Sequence, residues 1–314
     1  MRIVSFWREQ KVRLGLLLEN EILEPALAGS LLDPEERAFF LDTLSFIRGG
    51  KSALSTAGRL ETLRPSHALH RLDQVKFAAP ILPSTILCAG SNYREHNDEK
   101  IGSPTSGKEP EFFVKTSDSV IGPEEAIRYD EKLTRKLDCE TELGIVIGTP
   151  GRHIPKDQAL DHVFGYTIVN DVTARDRQVR RSGDFTWYEL GRGKAFDTSA
   201  PIGPCITTAD EIPDPQVLGI RTRVNGELRQ SSNTSNMIWS CADLIHFFST
   251  NFTLKPGMVI ITGTPAGTAW SADKELGGHW QPKEGLVAAS RYFLPGDIVE
   301  CEIERIGVLR NPVR

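Results

Sequence analysis

The sequence predicts an α+β protein, with a small N-terminal α/β domain followed by a larger domain built mostly of strands. Two observations carry this prediction. From Ile81 onward the chain is a succession of short apolar or alternating runs separated by Gly and Pro, with few helical stretches. Strands without regular helical crossovers exclude a doubly wound α/β sheet. Before Ile81 the pattern differs, with a strand pair followed by helical segments. A length of 314 residues leaves room for one large domain with an appendage, or for two modest domains.

The elements follow in order. MRIVSFW and VRLGLLL flank a charged REQK turn and predict an opening β-hairpin. Asp33 as cap and Pro34 at the first helical position begin a helix that Gly49-Gly50 should stop. A second helical piece around Ser52–Leu63 ends before Pro65, and residues 65–80 read as a linker. This places the domains at 1–75 and 76–314. Beyond it come the strands STILCAG, PEFFVKT, SVIG, CETELGIVIG, FGYTIVND, RTRVNGEL, GMVIITG and DIVECEIERIG. Helices are expected at Pro155–Val163, around Ala174–Arg181 and at Cys241–Thr250.

Composition narrows the function classes. Hydrophobic residues at 39% and charged residues at 25% are ordinary for a globular chain and argue against disorder. A net charge of -5 gives no electrostatic footprint for nucleic acid. Apolar runs such as LGIVIG and MVIIT are too short to span a bilayer, and MRIVSFWREQKVR reaches charged residues too soon for a secretory signal. The five cysteines are odd in number, scattered and free of CxxC spacing, which fits free thiols in the cytoplasm.

The stretch KLDCETELGIVIG, residues 136–148, raises the chemical question. Strand alternation points Asp138, Glu140 and Glu142 the same way, at the edge of a buried-looking run. Ionised neighbours roughly 7 Å apart on such a face cost about 2–3 kcal/mol per pair at an effective dielectric near 20. A solvated face would tolerate them, and so would a bound cation. Asp171 ends another apolar strand, GYTIVND. Oxygen ligands converging from two strands suit Mg²⁺, Mn²⁺ or Ca²⁺.

Other candidates surround these acids. Arg175 and Gln178 are three apart on a short helix beside Asp171, either as a solvated surface pair or as a clamp for a substrate carboxylate. His96 and Glu99 in SNYREHNDEK have the spacing of a base held by a carboxylate, although most such pairs are surface contacts. Lys194 sits in the Gly-rich GRGKAFDT, and VIITGTPAG ends a strand in a turn that could present Thr264 and backbone N–H groups to an anion.

Together these blocks resemble the fumarylacetoacetate hydrolase superfamily, in its acylpyruvase and 2-hydroxyhepta-2,4-diene-1,7-dioate isomerase-like branch. The resemblance runs from about Ile86 to the C-terminus, through LCAGSNYREHNDE, EFFVKTSDSVIGP, LDCETELGIVIG, GYTIVNDVTARDRQ, GKAFDTSAPIGP, ITGTPAGT and PGDIVECEIERIGVLRNPV. It implies a mixed β-roll of layered sheets, with a small N-terminal domain, assembled as a homodimer. It also implies that Glu140, Glu142 and Asp171 hold Mg²⁺ or Mn²⁺, with Asp138 supporting them. His96 and Glu99 become a catalytic dyad on a lid, residues 92 to about 107, and Lys194 a catalytic lysine. Lys115, Arg175, Gln178 and Thr264 match positions lining the substrate.

The implied substrate is a small keto or diketo acid. Hydrolytic C–C cleavage of an acylpyruvate- or fumarylpyruvate-like 2,4-dioxo acid is the first reading. Decarboxylation or isomerisation of oxaloacetate- or hydroxymuconate-type acids is the second, and hydration or dehydration of a 2-keto-3-deoxy sugar acid a third. Three departures from the pattern bear on this choice. Ala89 stands where family members carry a fourth acidic ligand, and Ser91 where some acylpyruvate-cleaving relatives have Arg. Residues 269–292, AWSADKELGGHWQPKEGLVAASRY, form an insertion expected to reshape the pocket.

Overall fold

The opening hairpin forms where the sequence places it. β1 (Arg2–Arg8) and β2 (Lys11–Leu17) pair antiparallel around Glu9 and Gln10, both at positive φ (51° and 62°), the combination that matches strand twist in a two-residue turn. The computed structural model describes residues 1–99, 109–182 and 185–314. After β3 (Glu21–Leu23), Asp33 caps α1 (Pro34–Phe39) in a capping box with Glu36. The helix does not continue to Gly49 as expected. It ends at Phe39 and restarts as α2 (Thr43–Leu63), capped by Asp42. Gly50, at φ 52° and ψ -133°, breaks the helical backbone of α2 where the sequence expects a stop, and the buried stripe Phe46, Ile47, Ala53, Ala57 and Leu60 spans both halves.

The stretch read as a linker holds β4 (Leu69–Arg71) and β5 (Lys76–Ala78), which pair with β3 and β1. Three-residue strands are too short to show alternation in the sequence. The chain then supplies β6 (Ile86–Gly90), α3 (Arg94–Asn97), β7 (Glu111–Lys115), β8 (Val120–Ile121), β9 (Leu137–Asp138) and β10 (Thr141–Ile147). Next come β11 (Val163–Asn170), β12 (Thr173–Ala174), α4 (Arg175–Gln178), β13 (Val179–Ser182), β14 (Phe185–Tyr188) and α5 (Leu190–Lys194). The remainder is β15 (Ala200–Thr208), β16 (Gly219–Val224), β17 (Glu227–Asn233), α6 (Cys241–Asn251), β18 (Val259–Ile261), β19 (Ile298–Ile303) and β20 (Gly307–Pro312).

Two helix expectations need correction. Pro155–Val163 is a 3₁₀ segment, Lys156–His162. The helix expected around Ala174–Arg181 ends at Gln178, because the chain from Val179 pairs with β14 as a hairpin.

The fold is α+β and mixed. A twelve-stranded sheet runs β4-β3-β2-β1-β15-β11-β10-β18-β6-β7, with β5 on β1 and β8 on β15. The β18–β6 and β15–β8 pairs are parallel, and the other pairs of this sheet are antiparallel. A second, antiparallel sheet runs β17-β16-β19-β20. Two apolar cores follow. Leu143, Ile145 and Ile168 share one with Ile220, Val299 and Leu309 of the second sheet. Val146, Phe164 and Val259 share the other with Phe46, Ile47 and Leu60 of α2. β10 is therefore buried on both faces, which is why it reads as an unbroken apolar run. Among the described residues no helix is long and apolar enough to cross a membrane.

Candidate active site

Asp138, Glu140 and Glu142 do not lie on one continuous strand. The strand breaks after Asp138: β9 pairs with β12, whereas β10 belongs to the large sheet. Glu140 occupies the gap. Its N–H donates to Asn170 Oδ1 (3.1 Å), and its carbonyl accepts from Asp171 N–H (2.8 Å). This break separates the acids by role. Oxygens of Glu140, Glu142 and Asp171 converge to within 4.8 Å of one another, all three residues buried. Asp138 turns instead to Arg175, whose Nε donates to Asp138 Oδ2 (2.8 Å).

Three cations back this cluster. Arg175 Nη2 lies 2.6 Å from Glu140 Oε1. Lys194 Nζ donates to Glu140 Oε2 (2.6 Å) and Asp171 Oδ2 (2.7 Å). Lys115 Nζ lies 2.9 Å from Asp171 Oδ1 and also donates to the carbonyls of Lys194 and Ser199. Four carboxylates thus face three cationic side chains, and the shortfall falls on Glu142. Its charged neighbours in the triad are both acids, and among the described residues the hydrogen bond it accepts comes from Gly263 N–H, at 2.6 Å. Burial, with Asp171 and Glu140 adding to it, pushes the Glu142 carboxyl well above its usual range. Burial also acts on Glu140, but Lys194 and Arg175 overcome it and hold that carboxylate well below its usual range.

The donor set fits a hard divalent cation. Its oxygens are buried and convergent, and a carboxyl raised for lack of counter-charge is what such an ion would relieve.

His96 and Glu99 meet as their spacing suggests, with Nδ1 2.7 Å from Glu99 Oε2. The other Glu99 oxygen accepts from Gly267 N–H. Gly267 has φ 109°, and a Cβ there would come within 2.0 Å of the Arg229 carbonyl, so only glycine brings this N–H to Glu99. A carboxylate on Nδ1 fixes the ring and leaves Nε2 as the nitrogen that can exchange a proton with a bound molecule. Residues 100–108 of the expected lid lie outside the described residues.

A cavity of about 380 Å³ joins these groups. The triad, His96, Lys194, Gln178 and Thr264 line it, opposite Phe112, Phe113 and Trp270. Lys115 and Arg175 are fully buried behind the carboxylates. Thr264 Oγ1 donates to the Thr141 carbonyl (3.0 Å) and accepts from Gln230 Nε2 (3.0 Å), and Gln178 Oε1 accepts from Arg175 Nη1 (3.0 Å). Sequence reasoning missed Trp270, whose ring covers the Arg175 guanidinium at 5.1 Å. The sequence marks the 269–292 insertion as one that reshapes the pocket, but nothing in it singles out Trp270 as the residue that reaches the wall. The backbone N–H groups that the sequence expects the VIITGTPAG turn to offer an anion go to carboxylates of the chain itself, Gly263 to Glu142 and Gly267 to Glu99.

The family model for the fumarylacetoacetate (FAA) hydrolase C-terminal region matches residues 85–314. The chain belongs to the fumarylacetoacetate hydrolase family. It is 41% identical to the mitochondrial oxaloacetate tautomerase fahd2 of Xenopus laevis, over 100% of this chain and 90% of that one. It is 40% identical to the oxaloacetate tautomerase YisK of Bacillus subtilis, over 95% of both. Among solved structures, a fumarylacetoacetate hydrolase from Exiguobacterium antarcticum matches with TM-score 0.76 and 34% identity, covering 100% of this chain and 99% of that one. A maleylpyruvate hydrolase from Sphingobium sp. SYK-6, in complex with manganese(II) and pyruvate, matches with TM-score 0.72 and 28% identity, over 100% and 98%. That complex and the buried triad here both point to a divalent cation in this family member.

Proposed function

We propose that this member of the fumarylacetoacetate hydrolase family is a divalent-metal-dependent isomerase that interconverts the keto and enol forms of a short 2-oxo diacid of the oxaloacetate class. The observation that carries this reading is similarity along nearly the whole chain, at 40–41% identity, to two proteins named oxaloacetate tautomerases. It promotes the isomerase reading over C–C hydrolysis, which the sequence put first. A cavity of about 380 Å³ has room for a short acid of this class.

Glu140, Glu142 and Asp171 would hold Mg²⁺ or Mn²⁺, which when bound supplies a Lewis acid to the 2-oxo carboxylate and its enolate. The chain's own residues do the rest. His96 Nε2 removes a proton from C3, with Glu99 holding the ring and stabilising the imidazolium. The Lys194 ammonium, kept protonated because Asp171 and Glu140 outweigh its burial, faces the developing enolate oxygen. A proton returned to that oxygen gives the enol, so the step consumes no water. Gln178 and Thr264 shape the wall that orients the acid, and Lys115 and Arg175 act through the carboxylates they hold. A cytoplasmic homodimer belongs to the same reading; five buried, unbridged cysteines support the compartment, and light scattering tests the dimer.

Hydrolysis of an acylpyruvate is the second reading, favoured by the maleylpyruvate hydrolase likeness, since the same dyad could activate water. The deciding experiment follows enol-oxaloacetate absorbance and C3–H exchange in deuterated water, beside an acylpyruvate incubation in ¹⁸O-water. We expect rapid ketonisation and exchange with no labelled carboxylic acid, and a loss of about 10²- to 10⁴-fold in His96→Ala. Labelled acid from the acylpyruvate, without accelerated ketonisation, would reverse the order.

A further inference from the structure

Residues 269–292 are tied together by their own hydrogen bonds, most of them within 269–280, with Tyr292 Oη donating back to Asp273 Oδ2 at 2.6 Å. Asp273 Oδ1 accepts from Glu275 N–H (2.9 Å), and the Asp273 carbonyl accepts from Gly278 N–H (2.8 Å). Trp270 Nε1 donates to the Leu276 carbonyl (3.1 Å), and Trp280 N–H to the Ser271 carbonyl (3.1 Å). A loop closed on itself in this way moves as a unit.

One side of this body is fixed to the acid cluster. The N–H groups of Ala269 and Trp270 donate to the two oxygens of Asp138, at 3.0 and 3.1 Å. Lys136 Nζ reaches Asp273 Oδ2 at 2.7 Å, and the Trp270 ring covers Arg175. The other side touches the dyad. His279 N–H donates to the main-chain carbonyl of Glu99 (3.0 Å), and Lys283 Nζ lies 3.3 Å from Glu95 Oε2 on α3.

We propose that this segment is a brace setting the distance between the His96–Glu99 dyad and the acid cluster, with His279 as a positioning residue through its main-chain N–H. The inference rests on the reading of His96 as the proton-transfer group. At four residues α3 is too short to hold its own conformation, so the imidazole owes its place to what grips the chain around it. From outside its own turn, and among the described residues, Glu99 is held by Gly267 at its carboxylate and by His279 at its carbonyl. Binding of the acid and the cation needs only the triad and the wall. Proton transfer needs the ring within hydrogen-bond reach, so loosening the brace lowers kcat and spares KM.

The test compares His279→Ala with His279→Pro in the full-length, Mn²⁺-loaded protein. The side chain is exposed, alanine keeps the N–H and proline removes it. We expect the alanine variant to stay within about twofold of wild type, and the proline variant to lose about tenfold or more in kcat with KM and Mn²⁺ affinity within about threefold. Amide exchange over residues 93–99, measured without substrate, should rise by about tenfold in the proline variant and stay unchanged over residues 141–147. Equal behaviour of the two variants overturns the brace. If the proline variant fails to fold, Lys283→Glu and Lys283→Arg replace the pair. The first should speed exchange over 93–99 and the second should not, and no difference between them overturns the proposal. Exchange needs no substrate, so a braced protein inactive on oxaloacetate refutes the isomerase reading alone.

Discussion

Lys194 Nζ bridges Glu140 and Asp171, 2.6 Å from an oxygen of one and 2.7 Å from an oxygen of the other. Its ammonium sits among the oxygens proposed to hold a divalent cation, so the two positive charges oppose each other. Lys194→Met should tighten Mn²⁺ binding by roughly tenfold, read by calorimetry. Turnover should fall by about 10²-fold or more, because the enolate loses its nearest fixed charge. Weaker metal binding in the variant would mean that Lys194 chiefly orients the carboxylates.

The raised Glu142 carboxyl predicts a pH dependence. A cation needs the carboxylate, so Mn²⁺ affinity should fall as pH falls through the raised value, and binding below it should release a proton. Calorimetry in buffers of different ionisation enthalpy measures that proton. The sign for folding is the reverse. A carboxyl raised in the folded state stabilises the metal-free protein at low pH, and this contribution is lost as pH rises through the raised value. Glu142→Gln should flatten that slope and abolish tight Mn²⁺ binding. A variant that keeps both would remove Glu142 from the site.

Arg175 is fully buried between Asp138 and Glu140. Arg175→Met leaves both carboxylates without this partner and should destabilise the metal-free protein by about 3–5 kcal/mol. Arg175→Lys cannot reproduce a fork reaching two acids and should restore only part of the loss. Urea unfolding monitors both variants. A loss below about 1 kcal/mol would show that the acids simply protonate.

Residues 1–75 and 76–314 are proposed as two domains, yet they share a sheet and a core. β1 pairs with β15 through Ile3 and Ile206, and Phe46 packs edge-on against Phe164 at 5.9 Å. Expressed alone, residues 76–314 should expose that face and lack cooperative unfolding. Native-like melting of the fragment would extend the division to folding itself.

The acids Asp138, Glu140 and Glu142 were legible in the sequence because carboxylates beside apolar strands are expensive and therefore conspicuous, whereas only the family resemblance set Asp138 apart from the proposed metal ligands. Asp171 stood out for the same reason, at the end of GYTIVND. The pairing of His96 with Glu99 follows from helical spacing, which α3 and the next turn nearly preserve. What the alternation rule missed was the break at Cys139–Glu140, since it assumes an unbroken strand and the break arises from a distant partner, Asn170. Arg175 was visible as a cation beside the acids. Its burial behind them involves Trp270, whose ring covers the guanidinium from nearly a hundred positions away in the chain. The short strands β4 and β5 were lost for a similar reason, because their pairing partners lie in the N-terminal hairpin and its extension.

The turn from Gly263 to Gly267 grips two acids proposed to have different tasks, Glu142 by one amide and Glu99 by the other. Both grips are made by the backbone, so no side-chain replacement at Thr264 or Ala266 deletes them. Thr264 itself lines the cavity, almost fully enclosed. A lineage could therefore alter which acid fits the wall by changing residues within this turn, while the ion-binding and proton-moving parts inherit their spacing unchanged. In the proposed reading, selectivity would be written in side chains and the spacing of the chemistry in peptide bonds.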